Sequence, residues 1–412
     1  MKKRTVVIIA MIWMLVITAV VSACATMALM GEDGAAYFVT QDEYEALQRY
    51  RRLEEVHDAL VQDYYVEVDE QALVTGAIRG MMESVDDPYT FYYTPEEMAQ
   101  SNEQSEGVYH GVGMVVQLTD DGYIEIARVY EDSPAAKAGL QMGDRIVGVN
   151  GTAVSGENGR TLNDAVLLIQ GKDGTDVQLT ILRGGEEMAV TATRAAVNIS
   201  YVEYSLIGED IGYLNLSQFT GNDVEGFKEA VSAFKSADIS GMVVDLRNNP
   251  GGLLDHVVEI ADMLLPEGLV TYVEDRQGNR QEERSDAEHW DVPMVVLVNG
   301  SSASASELFT AAMQDYDRAT VVGTTTFGKG IVQNLITFAE DGAGMQLTTA
   351  SYYSPNGRSI HKTGVEPDVV VELAEGAAIS TVTPDPEKDN QLAVALDELQ
   401  KRIDAHGAAD QE

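Results

Sequence analysis

One cysteine in 412 residues, Cys24, has no partner for an intrachain disulfide and offers no thiolate cluster for a metal. The six histidines are scattered, without the H-x-x-x-H spacing that clamps zinc on a helix. No metal and no cofactor are therefore expected. Positive charge is also scarce. Twenty-seven Lys and Arg face 67 Asp and Glu, a formal net charge of −40. That charge excludes nucleic acid as a partner, because a phosphate backbone would be repelled. It also gives the surface no electrostatic pull toward anionic lipid headgroups. Long apolar runs are nearly absent, and the one exception opens the chain.

Lys2-Lys3-Arg4 precede an uncharged apolar run from Thr5 to Met30. As a helix it would span about 39 Å, enough to cross a ~30 Å hydrocarbon core with tilt. The basic flank should stay in the cytoplasm and export the bulk of the chain. Residues 1–30 are thus expected to form a single-pass anchor at the cell membrane, with the rest extracytoplasmic. Two rivals also export the chain: Val21-Ser22-Ala23-Cys24 resembles a lipobox, with Cys24 lipidated, or the segment is cleaved and the protein secreted.

The remainder has the composition of a folded globular protein, 45% apolar and 23% charged, with length for two or three domains. Helical periodicity runs through 41–66 and 69–85, and Asp86-Asp87-Pro88 ends the second stretch. Thr94-Pro95-Glu96-Glu97 opens a further short helix. Residues 103–196 read as a small β-rich domain with a helix at Asn163–Ile169. From 197 to 376, strands (211–216, 241–246, 295–298) alternate with helices (223–234, 253–264, 307–314), which predicts a sheet with helices on its faces. Ala377–Asp389 reads as a linker and Asn390–Ile403 as a last helix.

Two segments suggest chemistry. In Val295–Met313 a β-branched run stops at Asn299-Gly300, a burst of small residues follows, and a helix begins. A serine in such a turn sits at a helix N-terminus, where unpaired N–H groups can stabilise an oxyanion. A serine-rich loop without chemistry would read the same way. In Thr326-Phe327-Gly328-Lys329-Gly330-Ile331-Val332-Gln333, glycines flank a lysine within an apolar stretch, either a desolvated base or an exposed hairpin lysine. Serine nucleophile plus lysine base is one solution to acyl transfer.

With these motifs the chain resembles the carboxyl-terminal processing, or tail-specific, proteases. The resemblance rests on Ser302-Ala303-Ser304-Ala305-Ser306-Glu307, on Phe327-Gly328-Lys329-Gly330 with Gln333, and on Asp245-Leu246-Arg247-Asn248-Asn249-Pro250-Gly251-Gly252. Leu347–His361 and Gly364–Asp368 add to it, over roughly residues 45–375. Residues 111–151 resemble a PDZ domain, in which a peptide adds a strand to an open sheet edge and backbone N–H groups hold its carboxylate.

The resemblance implies a mixed αβ chain. A membrane segment (1–30) would precede an N-terminal helical region (31–102), an inserted PDZ domain (103–196), a protease core (197–376), and a linker with a C-terminal helix (377–412). It implies a serine endopeptidase acting on protein substrates with free C-termini, and an N-terminal region able to mediate a homodimer. Among four neighbouring serines, chemistry alone does not choose; the resemblance selects Ser304 as nucleophile. Lys329 would be the base and Gln333 would orient its amine. A free lysine titrates near ~10.4, so half-deprotonation at pH 7 requires destabilising its charged form by about 4.6 kcal/mol. Burial can supply that, and Phe327, Ile331 and Val332 would form the apolar pocket. The oxyanion hole would use the N–H of Ala305 and of one glycine in the Pro250-Gly251-Gly252 turn, taken as Gly251. Gly111, Val112, Gly113 and Met114 would form the carboxylate loop. Gln170 stands where the family commonly has arginine, leaving any coupling between peptide and active site to another contact such as Lys172. Two readings compete: His256 or His361 as the base, and a catalytically silent PDZ scaffold.

Overall fold

A computed structural model describes residues 11–22, 40–105, 108–119, 122–130, 132–154, 162–198, 200–377 and 379–409. The chain divides into two compact units, Met1–Met81 and Met82–Glu412.

In the first unit, residues 11–22 are helical (α1). Among the described residues no helix is long and apolar enough to cross a membrane. The rest of the expected anchor, Cys24 included, lies outside the described residues. Helix α2 (Gln41–Asp63) opens on a capping box: the Thr40 amide donates to Glu43 Oε2 at 2.6 Å and the Glu43 amide to Thr40 Oγ1 at 3.3 Å. Neither α2 nor α3 (Glu70–Glu83) buries a residue, although α2 carries Leu47, Tyr50, Leu53 and Val56 along one stripe.

The second unit holds three layered regions. After β1 (Phe91–Tyr93) and α4 (Pro95–Ser105), strands β2 (Val108–Gly111) and β9 (Ala195–Asn198) pair and bracket the β-rich domain. Its sheet runs in the order β3 (Met114–Leu118), β4 (Ile124–Val129), β5 (Arg145–Val149), β7 (Asp176–Arg183), β8 (Glu186–Thr193), with β6 (Thr152–Ala153) beside β5. Helices α5 (Pro134–Lys137) and α6 (Leu162–Ile169) complete it around Ile126, Ile146, Leu179 and Ile181. These residues form a core of their own.

The next sheet is mostly parallel, in the order β10 (Val202–Ile207), β11 (Ile211–Leu216), β12 (Gly241–Asp245), β15 (Met294–Val298), β16 (Ala319–Gly323), β19 (Val369–Val370); only β10–β11 is antiparallel. Strand residues alternate between two cores. Met242, Val244, Met294 and Val296 face α7 (Asp223–Ser236), α8 (Leu254–Asp262) and α9 (Ala305–Asp315). Val243, Val295 and Leu297 face Leu392, Ala395 and Leu399 of α10 (Asn390–Ala409). Helices on both faces account for the near-continuous apolar runs in these strands.

The alternating pattern did not anticipate a third sheet. Strand β18 (Gly344–Tyr353) pairs with β1, with β13 (Gly268–Asp275) and with β17 (Ile331–Thr337), and β14 (Arg280–Ser285) flanks β13. Its strands are mostly half-buried, so their apolar signal is weak. Its strand β17 nonetheless begins two residues after Lys329 and carries Gln333.

Candidate active site

The two glycine- and serine-rich turns are stitched together by their own polar groups. Ser302 Oγ donates to Leu246 O at 2.8 Å and accepts from the Asn299 amide at 2.9 Å. Ser306 Oγ donates to Asn249 O at 3.0 Å. Asn248 and Asn299 exchange two bonds, of 3.0 and 2.9 Å. Ser302 and Ser306 are fully buried and Ser301 is exposed. Ser304 is the half-buried serine of the group, and it lines a cavity of about 400 Å³.

Helix α9 starts at Ala305, two residues before the expected Glu307, so Ser304 is its N-cap. Its backbone sits at φ 56°, ψ −116°, a strained conformation for a non-glycine residue. Gly251 makes the turn possible: a Cβ there would lie 2.5 Å from Ala303 O and 2.7 Å from Ser304 Cβ. The N–H of Gly251 is already used, donating to Asn249 Oδ1 at 2.8 Å. The N–H groups of Gly252 and Ala305 find no acceptor within the described fold. The glycine turn thus approaches the serine turn as expected, but its unengaged amide belongs to Gly252.

Glu307 ties the serine turn to the lysine loop. Its buried carboxylate accepts four bonds: from the amides of Ser304 (2.8 Å), Gly328 (2.7 Å) and Lys329 (2.8 Å), and from Thr326 Oγ1 (2.6 Å). Such a carboxylate is bound on every side, which compensates its burial. In the motif Glu307 reads as an ordinary helix-capping residue, and only the fold reveals its contacts with the lysine loop.

Lys329, Gln333, Ile331 and Val332 line the same cavity as Ser304. Phe327 does not; it is 58% exposed. Tyr352 takes its place in the wall, with its hydroxyl donating to Lys329 O. Burial pushes the Lys329 amine below its ordinary pKa, against the opposing pull of the Asp87 and Glu307 carboxylates. Among the described residues no hydrogen bond joins Lys329 Nζ to Ser304 Oγ. The amine rests instead 4.3 Å from the centroid of the Tyr89 ring. Gln333 Nε2 donates to Thr348 Oγ1 at 3.3 Å and to Ile331 O at 3.4 Å. The serine, lysine and glutamine therefore share one wall, unlinked by hydrogen bonds. Neither candidate histidine lines this cavity. His256 Nδ1 pairs with Asp223 Oδ1 at 2.5 Å, and His361 Nδ1 is buried without a partner.

A second candidate site lies in the β-rich domain. Strand β3 is the outer strand of its sheet, with one edge open, and α6 packs beside it. The Val112 and Gly113 carbonyls are occupied by the amides of Ala135 (2.7 Å) and Tyr130 (3.1 Å), while their own N–H groups have no acceptor within the described fold. Val112 itself is a core residue, 1% exposed, so its backbone alone is available. At the far end of α6, Arg194 donates to Ile169 O at 2.7 Å, Leu168 O at 3.0 Å and Thr175 Oγ1 at 3.0 Å. Lys172 is exposed. Arg194 thus braces the turn that contains Gln170, a role not legible from the local sequence. An ion pair, Arg128–Glu203, joins this domain to the core.

Comparison with known proteins agrees with this layout. Residues 210–371 match peptidase family S41, residues 125–183 match a PDZ domain, and residues 18–97 match the N-terminal domain of the activating protease CtpB. The chain is 36% identical to a carboxy-terminal-processing protease of Bartonella bacilliformis, over 89% of this chain and 83% of that one. It is 31% identical to the carboxy-terminal processing protease CtpA of Bacillus subtilis, over 96% of this chain and 84% of that one. Among solved structures, a photosystem II D1 C-terminal processing protease aligns with TM-score 0.51 and 29% identity, over 83% of this chain and 96% of that one.

Proposed function

Because this chain belongs to peptidase family S41, among the carboxy-terminal-processing proteases, we propose that its serine peptidase activity resides in the cavity shared by Ser304, Lys329 and Gln333. Ser304 is the nucleophile, Lys329 the general base, and Gln333 the group that orients the amine. The observation that carries this reading is the convergence of a strained, accessible serine and a half-buried lysine on one cavity, with every other buried hydroxyl of the turn already engaged. In a reacting complex the Lys329 amine would leave the Tyr89 ring and take the proton of Ser304 Oγ as that oxygen attacks a peptide carbonyl. The oxyanion would be held by the amides of Ala305 and of the Pro250–Gly252 turn, where Gly252 has the unengaged N–H.

The PDZ domain would deliver the substrate. An extended peptide adds to the free edge of β3, and the loop Gly111-Val112-Gly113-Met114 receives its terminal carboxylate on the Val112 and Gly113 amides. A substrate peptide amidated at its C-terminus is expected to bind the full chain at least ~10-fold more weakly than the free acid, since it lacks the charge those amides would hold. Equal binding and equal cleavage of the two peptides would refute end recognition.

The division into helical N-terminal region (31–102), PDZ domain (103–196), core (197–376) and C-terminal tail (377–412) belongs to the same reading. So do a single-pass anchor within 1–30 holding the domains outside the cytoplasmic membrane, and a homodimer formed through α2 and α3. The unburied apolar stripes of α2 and α3 favour the dimer, since they flank a groove of about 880 Å³ lined by Leu47, Tyr50, Leu53, Val74 and Ile78. Deleting residues 1–30 should move the protein from the membrane to the soluble fraction, where sedimentation should return twice the chain mass. A deleted form that stays membrane-bound argues against the anchor, and a monomer at micromolar concentration argues against the dimer.

A further inference from the structure

The serine–lysine reading leaves one neighbour of the base without a role. We propose that the segment Asp87-Pro88-Tyr89-Thr90 is a docking site for the protonated Lys329 amine and makes Tyr89 and Asp87 positioning residues of the base. The proposal rests on the reading of Lys329 given above.

Tyr89 presents its ring 4.3 Å from Lys329 Nζ. A ring face attracts an ammonium and has no comparable attraction for a neutral amine. The ring therefore favours the charged lysine, whereas burial favours the neutral one. The Asp87 carboxylate acts in the same direction as the ring.

The segment is held firmly in place. Asp87 Oδ1 accepts from the Tyr89 amide at 3.0 Å and Oδ2 from Thr90 Oγ1 at 2.7 Å. Buried Thr90 in turn accepts from the Thr348 amide at 3.0 Å, and Gln346 Nε2 donates to Tyr89 O at 3.0 Å. Strand β1 follows at once and pairs with β18, Phe91 opposite Gln346. Gln333 reaches the same anchor through Thr348 Oγ1, so the segment supports both the lysine and the glutamine.

The charged and titratable groups that face the amine are few. They are Asp87 and Tyr89 from this segment, Glu307 from α9 and Tyr352 from β18. Both Glu307 oxygens are filled by backbone and hydroxyl donors, and the Tyr352 hydroxyl is engaged with Lys329 O. Glu307 favours the ammonium as Asp87 does, but it also holds the serine turn and the lysine loop, so Tyr89 and Asp87 are the groups whose share can be tested separately. An amine moving from the ring to Ser304 leaves a place that prefers charge for one that uses the neutral base. The segment thereby sets the pH at which the base becomes available.

The test titrates Lys329 in the full chain carrying Ser304→Ala, by NMR of ¹³C-labelled lysine, with the resonance assigned by its loss in Lys329→Arg. Tyr89→Leu should lower the midpoint by about one pH unit, Asp87→Asn should lower it too, and Tyr89→Phe should leave it in place. With Ser304 restored, the midpoint of kcat/KM against pH should fall in Tyr89→Leu and return in Tyr89→Phe. An unchanged or raised Lys329 midpoint in Tyr89→Leu and Asp87→Asn overturns the proposal; if Tyr89→Leu does not fold, Asp87→Asn decides alone. A lysine midpoint that falls without a matching move of the rate profile upholds the docking site and removes the base role from Lys329 instead.

Discussion

Ser304→Ala is expected to reduce peptide cleavage by at least ~10³-fold and to leave the fold intact. The Ser304 side chain borders the cavity and is half-buried, and the buried hydroxyls of Ser302 and Ser306 carry the bonds between the two turns, so its loss removes chemistry more than structure. The neighbouring serines supply the control. Ser302 and Ser306 are buried and donate to Leu246 O and Asn249 O. Ser302→Ala and Ser306→Ala should each cost about 1–3 kcal/mol of stability by leaving a buried group unpaired, and should still turn over substrate below their lowered melting temperatures. Measured kcat/KM beside a thermal melt for each variant separates the two effects. Full activity in Ser304→Ala, or loss confined to Ser302→Ala or Ser306→Ala, would move the nucleophile elsewhere.

Lys329→Arg is expected to be as inactive as a chain without a base, with a loss of roughly 10²–10⁴-fold or more. A guanidinium cannot shed its proton in this range, so charge is preserved while basicity is lost. The same chemistry fixes the sign of the pH dependence in the unaltered chain. Burial lowers the Lys329 pKa by disfavouring the ammonium, and Asp87 and Glu307 only oppose that shift. The rate should therefore rise with pH as the amine deprotonates, with a midpoint below the ~10.4 of a free lysine. Steady-state rates across pH on a short peptide give the midpoint. A midpoint at or above the free-lysine value, or an active arginine variant, leaves Lys329 without the role of base.

Much of this protein was legible in local sequence because the signals are local. The strand–turn–helix around Ser304, the glycines beside it and the lysine between Gly328 and Gly330 are each set by a few consecutive residues whose backbone needs are written in their side chains. The PDZ elements and the alternation of buried strands and helices in the core followed in the same way. The third sheet was missed because β13, β17 and β18 are only half-buried, which blurs a period-2 pattern. Phe327 was misplaced for a related reason: apolarity next to a lysine does not say which way the chain turns, and this residue points to solvent.

The sequence by itself determined that there is no intrachain disulfide and no cysteine-based metal cluster within the chain, since each needs residues the chain lacks. It determined the peptidase family too, because that family's motifs are short and contiguous. Only the tertiary structure decided which serine borders the cavity, which glycine has an unengaged amide, and what lies against the lysine. Each depends on hydrogen bonds and packing between segments far apart in the chain. Asn249 takes the Gly251 amide and the Ser306 hydroxyl, and Tyr89 meets an amine about 240 residues away. A side chain's type fixes the bonds it can make, and only the packing of distant segments fixes which of them are already made.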